Sequence, residues 1–136
     1  MALIWKPHYT TGVKTLDRQH QKIFDLVNRL GELVTAGNPD PDLLDKLFMD
    51  MDLHIRTHFT QEERCMTRRH CPMAERNKQE HDEFLAFYEQ FLSDFKKKRS
   101  LTDLKSFHRK AEWWLLEHVC FIDIHLRSCV QKARQG

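Results

Sequence analysis

Four successive segments of this chain repeat apolar residues at three- and four-residue steps, and each carries an imidazole or a carboxylate in or beside the apolar stripe. His20 precedes Ile23, Phe24, Val27, Leu30 and Val34; His58 and Glu62 follow Leu44, Leu47, Met51 and Ile55. His81 precedes Phe84, Tyr88, Phe91 and Phe95, and His118 and Asp123 fall among Leu104, Phe107, Ala111, Trp114, Leu115, Ile122 and Leu126. The period is helical, so each segment reads as an amphipathic helix with polar groups turned inward. Burying such groups is costly unless something satisfies them. The simplest agent that satisfies all six is a metal centre. Nitrogen mixed with carboxylate oxygen, with no cysteine pattern, suits iron or manganese better than structural zinc.

Punctuation places the helices. Residues 1–15, with Pro7 and Gly12, read as an extended N-terminal arm, and helices are expected over about 16–36, 41–65, 73–98 and 102–131. Gly37 ends the first helix, Asp40 caps the second with Pro41 at its first position, and Ser100 with Asp103 forms a capping box for the fourth. Helices of this length on short loops predict an all-α fold, an antiparallel up-down-up-down four-helix bundle. The 136 residues, 1–136, are expected to form one domain with a core that needs no staples.

Composition excludes several classes. The formal charge is +2, from 22 basic and 20 acidic residues, and the basic run from Lys96 to Arg99 ends a helix, where cations favour the dipole. No basic face with interleaved aromatics points to nucleic acid. No stretch approaches the ~18 apolar residues a membrane span requires. Cys65, Cys71, Cys120 and Cys129 form no C-x-x-C pair, and with Ile4-Trp5-Lys6-Pro7 in place of an apolar run no secretory signal is expected before them. Free thiols in a reducing cytoplasm are therefore expected.

Spacing refines the metal reading. His58 and Glu62 are four apart and rise from one helix face, as do Asn77 and His81. His118 and Asp123 are five apart, a splay of roughly 140° that a bridging carboxylate tolerates. Four imidazoles and two carboxylates exceed one tetrahedral site and suit a pair of metals bridged by Glu62 and Asp123. Phe24, Phe59, Phe84, Trp114 and Ile122 would form a dry shell, and Trp5 and Tyr9 would cover one end of the bundle. His54, one turn before His58, is expected beside the ligands. Asp17 is expected to cap the first helix and Glu63 to face solvent, neither touching metal.

The runs Trp5…Gly12-Val13-x-x-Leu16-Asp17-x-Gln19-His20, His58-Phe59-x-x-Glu62-Glu63, Pro72…His81-x-x-Phe84 and Trp114-x-x-x-His118…Asp123 resemble those of hemerythrins, bacterial hemerythrin domains in particular. The resemblance covers nearly the whole chain, in order. It implies an oxo- or hydroxo-bridged non-haem di-iron site that binds dioxygen reversibly. By motif position, His20 and His58 would sit on one iron, His81 and His118 on the other, with Glu62 and Asp123 bridging. The family pattern expects a further histidine four residues before His81, where this chain has Asn77, a weak or lost ligand. With that imidazole missing, both irons open to solvent and the oxygenated form is expected to decay quickly to the diferric state. The expected role is then an oxygen or redox sensor, regulating a signalling output such as a C-terminal domain in a longer chain. An oxygen store or carrier is the first alternative. A di-iron oxidase or peroxidase is the second, although no spare acid, base or substrate pocket is evident, so binding rather than turnover is expected.

Overall fold

The computed structural model describes residues 2–135, less the side chains of Asp123, Ile124 and residues 133–135. A 3-10 turn, Pro7–Tyr9, precedes α1 (Lys14–Thr35), α2 (Pro41–Arg68), α3 (Ala74–Lys98) and α4 (Leu101–Gln135). The caps form as the sequence dictates. Asp40 accepts the Asp42 N–H at 2.8 Å, with Pro41 opening the helix, and the Ser100 hydroxyl accepts the Asp103 N–H at 3.2 Å. Sequential helices pack side by side and α1 closes on α4, giving the all-α antiparallel bundle. Among the described residues no helix is long and apolar enough to cross a membrane.

Two apolar clusters divide the interior. The larger runs from Ile23 to Val34 on α1, Leu44 to Phe59 on α2, Phe84 to Phe95 on α3 and Leu104 to Val119 on α4. The smaller joins Leu16, Met66, Cys71, Ile122, Leu126, Cys129 and Val130. Between them, at one level of the bundle, α1, α2 and α3 place His20, Glu62, and Asn77 with His81. The chain thus pays for a polar layer inside an otherwise apolar core, and the layer positions the site.

The smaller cluster overturns one expectation. Cys71, in the α2–α3 connection, and Cys129, near the end of α4, form a disulfide. The antiparallel fold brings two positions 58 residues apart to a Cα separation of 5.8 Å, within bridging range. Both cysteines lie in the same apolar cluster, shielded from water.

Asp17 also has a different role from the cap expected of it. The N-cap of α1 is Val13, which offers no side chain to the helix. Asp17, buried one turn in, instead accepts the Thr11 N–H at 2.7 Å and the Thr11 hydroxyl at 2.8 Å. Gly12, at φ +90°, makes the bend that lets the arm double back. Arg127 on α4 holds the same arm by donating to the carbonyls of Thr10, at 2.8 Å from Nε, and His8. The arm thereby lays Trp5 against Phe24, with ring centres 5.3 Å apart, and near His20, at 6.1 Å. Asp17→Ala leaves the buried Thr11 groups unsatisfied, and a loss of about 2 kcal/mol is expected. Chemical denaturation measures that loss, and faster chelator extraction of bound metal should accompany it as Trp5 lifts. An unchanged midpoint would mean that Asp17 does not hold the arm.

Candidate metal centre

Five of the residues expected to bind metal meet in the polar layer, and all are buried. His20 is 1% exposed, His58 1%, Glu62 0%, His81 0% and His118 4%. Glu62 stands at the middle. Its Oε2 lies 3.1 Å from Nε2 of His20 and 3.1 Å from Nε2 of His58, and its Oε1 lies 3.1 Å from Nε2 of His81 and 3.7 Å from Nε2 of His118. One carboxylate therefore divides the imidazoles into two pairs, one on each oxygen. Two groups of donor atoms able to hold a metal ion result: His20, His58 and Glu62, then Glu62, His81 and His118. The side chain of Asp123 lies outside the described residues.

The outer ring nitrogens determine what the inner ones present. His81 Nδ1 donates to Glu63 Oε2 at 2.9 Å and His118 Nδ1 to Glu80 Oε2 at 3.0 Å. A carboxylate only accepts, so these contacts place the proton on Nδ1. When both rings are neutral, as metal ligands must be, the two Nε2 atoms carry lone pairs and face each other at 3.0 Å beside a carboxylate oxygen. His58 Nδ1 meets Gln19 Oε1 at 2.8 Å, and Gln19 Nε2 donates to Gln61 Oε1 at 2.6 Å. Acceptors converging on one another without hydrogens between them are repulsive unless a cation stands among them. Both oxygens of Glu62, Nε2 of His58 and both ring nitrogens of His20 are buried without a hydrogen bond. Neither side-chain atom of Asn77, a fully buried residue, has one either. These orphaned donors, nitrogen and oxygen without sulfur, fit a pair of iron-type cations.

Two sequence expectations change here. Glu63 faces the site, holding the outer nitrogen of His81, where solvent was expected. Gln19, not His54, takes the outer nitrogen of His58, because α1 packs on α2 and sets Gln19 across from it. Gln19 and Glu80 had no part in the expected site. Each reaches a histidine on another helix, so no spacing along one helix announces it; only their direct precedence of His20 and His81 hinted at the location. The shell of aromatic rings is present. Phe59 stacks on His81 with centres 3.7 Å apart, and Trp114 on His118 at 4.5 Å.

The electrostatics shift His58 and His81 in opposite directions around one anion. Burial, assisted by the neighbouring His20, pushes His58 down to about 4, so its imidazole is neutral at pH 7. Burial opposes ionisation of Glu62, but the surrounding imidazoles, His58 foremost, outweigh it and hold the carboxylate well below its ordinary range. Burial would also lower His81; its contacts with Glu62 and Glu63 prevail and raise it. A depressed histidine binds its proton more readily when unfolded. In metal-free protein His58 thus stabilises the fold fully above about pH 6.5 and loses that contribution as pH falls toward 4, by up to about 3 kcal/mol. His81 acts oppositely: its contribution is full below about pH 6.5 and is lost as pH rises through its folded value. Ring-proton NMR of the metal-free chain should show His58 neutral down to about pH 4 while His81 is still protonated above 6.5. His58 titrating at an ordinary value would contradict this.

A helical bundle whose core sets one carboxylate between two pairs of imidazoles has the constitution of a non-haem di-metal protein. Residues 11–126 match the Hemerythrin HHE cation binding domain, and the chain belongs to that family. It is 25% identical over 123 residues, 85% of this chain and 92% of the other, to a bacteriohemerythrin of Clostridium acetobutylicum. The cofactor is accordingly a di-iron centre, and dioxygen is its ligand.

Proposed function

We propose that His20 and His58 hold one iron and His81 and His118 the other, that Glu62 and Asp123 bridge them, and that the domain serves as an oxygen or redox sensor. The observation that supports this reading is the Glu62 carboxylate, whose two oxygens each face a different pair of imidazoles. When bound, the iron pair supplies reversible dioxygen binding and a change of oxidation state. The chain sets the terms of both. Glu63 and Glu80 make His81 and His118 stronger donors through their outer nitrogens. Asn77 replaces an imidazole with a weak amide donor at the same end, leaving room for solvent at that iron. Phe59 and Trp114 keep bulk water from the ring faces. The domain would report to a signalling output, fused or separate.

The carrier reading has its own support. A cavity of about 20 Å³, room for a very small molecule, adjoins His20, His58 and His118 and is lined by apolar side chains such as Ile55 and Val119. The similar protein from Clostridium acetobutylicum also bears the name bacteriohemerythrin.

Reconstitution with ferrous iron without oxygen, then exposure to air, separates the readings. The expected result is about two irons per chain and a visible absorption that decays to the diferric spectrum within minutes. Asn77→His should lengthen its lifetime at least about tenfold by restoring a strong donor. An absorption that persists in the unaltered chain would make it a carrier. Continued turnover with a reductant would make it an enzyme.

A further inference from the structure

A second site lies where α2 ends beside the start of α1. A cleft of about 540 Å³ there is lined by Val13, Thr15, Gln61, Arg64, Arg68 and Arg69, among others, and none of its lining residues is acidic. Arginine ion pairs among the described residues involve Arg56, Arg76 and Arg99 only. Arg64 and Arg68 therefore stand one turn apart on one face as like charges, an arrangement unfavourable on a bare helix. Arg69 spends its Nε–H on the free thiol of Cys65 at 3.4 Å. The helix dipole accounts for a cation at the last turn of α2, but not for three guanidiniums around one concavity. The start of α1, which has no side-chain cap, opens onto the same space through Val13 and Thr15. Guanidinium forks, a hydroxyl and helix-start amides are the donors that bind phosphate oxygens.

The cleft is also connected to the centre. Its Gln61 accepts from Gln19 at 2.6 Å, and Gln19 contacts His58 Nδ1 at 2.8 Å. We propose that this cleft binds a phosphate group, free or on a small phosphorylated molecule, and that its occupancy is transmitted through Gln61 and Gln19 to His58. An oxygen of the anion accepting from Gln61 would reorient its amide, alter the Gln19 contact and change how firmly His58 is held. The transmission, though not the binding, rests on His58 as an iron ligand.

The test is calorimetric titration of the iron-loaded chain with inorganic phosphate, pyrophosphate and a mononucleotide, at ionic strength held constant with chloride. One saturable site per chain is expected, weakened about tenfold by Arg68→Gln and further by Arg64→Gln with Arg68→Gln. Tightest binding of pyrophosphate would identify a free anion as the natural occupant, and of the nucleotide a phosphorylated small molecule. Absence of saturable binding overturns the site. So does binding indifferent to both arginine substitutions, which would put the anion elsewhere, for instance on the irons. For transmission, Gln19→Leu should retain saturable binding that still depends on Arg64 and Arg68 but abolish the phosphate-induced change in visible absorption. A change that survives Gln19→Leu refutes the connection. Iron content, measured separately on the same samples, distinguishes either failure from a failure to bind iron.

Discussion

Glu62→Ala should reduce iron from about two per chain to less than one while leaving the helical content intact. Glu62 is fully buried, and its two oxygens are the atoms common to both groups of donors. Without it, the four imidazoles and the one remaining proposed carboxylate, Asp123, must hold two multiply charged cations. A buried charge without a counter-charge is strongly disfavoured, so the second cation is lost first. Glu62→Gln keeps the shape and removes the charge, and it should fail nearly as badly. That equality would identify charge, rather than packing, as the cause. The helices do not depend on Glu62, since the clusters on either side of it are separately apolar. Colorimetric iron analysis beside circular dichroism is the measurement. A Glu62→Ala chain that retains two irons would remove Glu62 from the bridge.

The parts of this centre that could be read along one helix were legible in the sequence. His58 and Glu62 share a turn, and the inward histidines interrupt apolar stripes whose period fixes the helices; both features follow from backbone geometry and require no tertiary knowledge. The caps at Asp40 and Ser100 were legible for the same reason, being local hydrogen bonds between near neighbours. Contacts that cross helices were not. Glu80 sits on α3 and serves His118 on α4, Gln19 on α1 serves His58 on α2, and Glu63 on α2 serves His81 on α3. Each is an ordinary exposed-looking polar residue until the bundle closes. Asp17 shows the same limit at short range. Its place in the first turn of a helix suggests a cap, whereas a bend at Gly12 makes it the anchor of the arm.

The disulfide is the largest feature that was missed, and its removal should have the largest effect on stability. Serine at both Cys71 and Cys129 is expected to lower the melting temperature by about 10–15 °C. The pair closes a loop across 58 positions, and releasing it returns chain entropy to the unfolded state worth about 4 kcal/mol. For a chain of this size each kcal/mol shifts the midpoint by roughly 3–4 °C. Replacing both cysteines avoids leaving a lone thiol near Cys65, which lies against the same cluster. The bond also ties the connection leading into α3, with Asn77 and His81, to the far end of α4, beyond His118. Chelators should therefore extract iron faster from the double-serine chain, because the helices that carry His81 and His118 lose their only covalent link at that end of the bundle among the described residues. A reductant acting on the unaltered chain should reproduce both effects once it reaches the buried sulfurs, and it should do nothing further to the double-serine chain. A midpoint unmoved within about 2 °C would mean that packing of Leu16, Met66, Ile122 and Leu126 already holds that end, with the sulfur bond adding nothing.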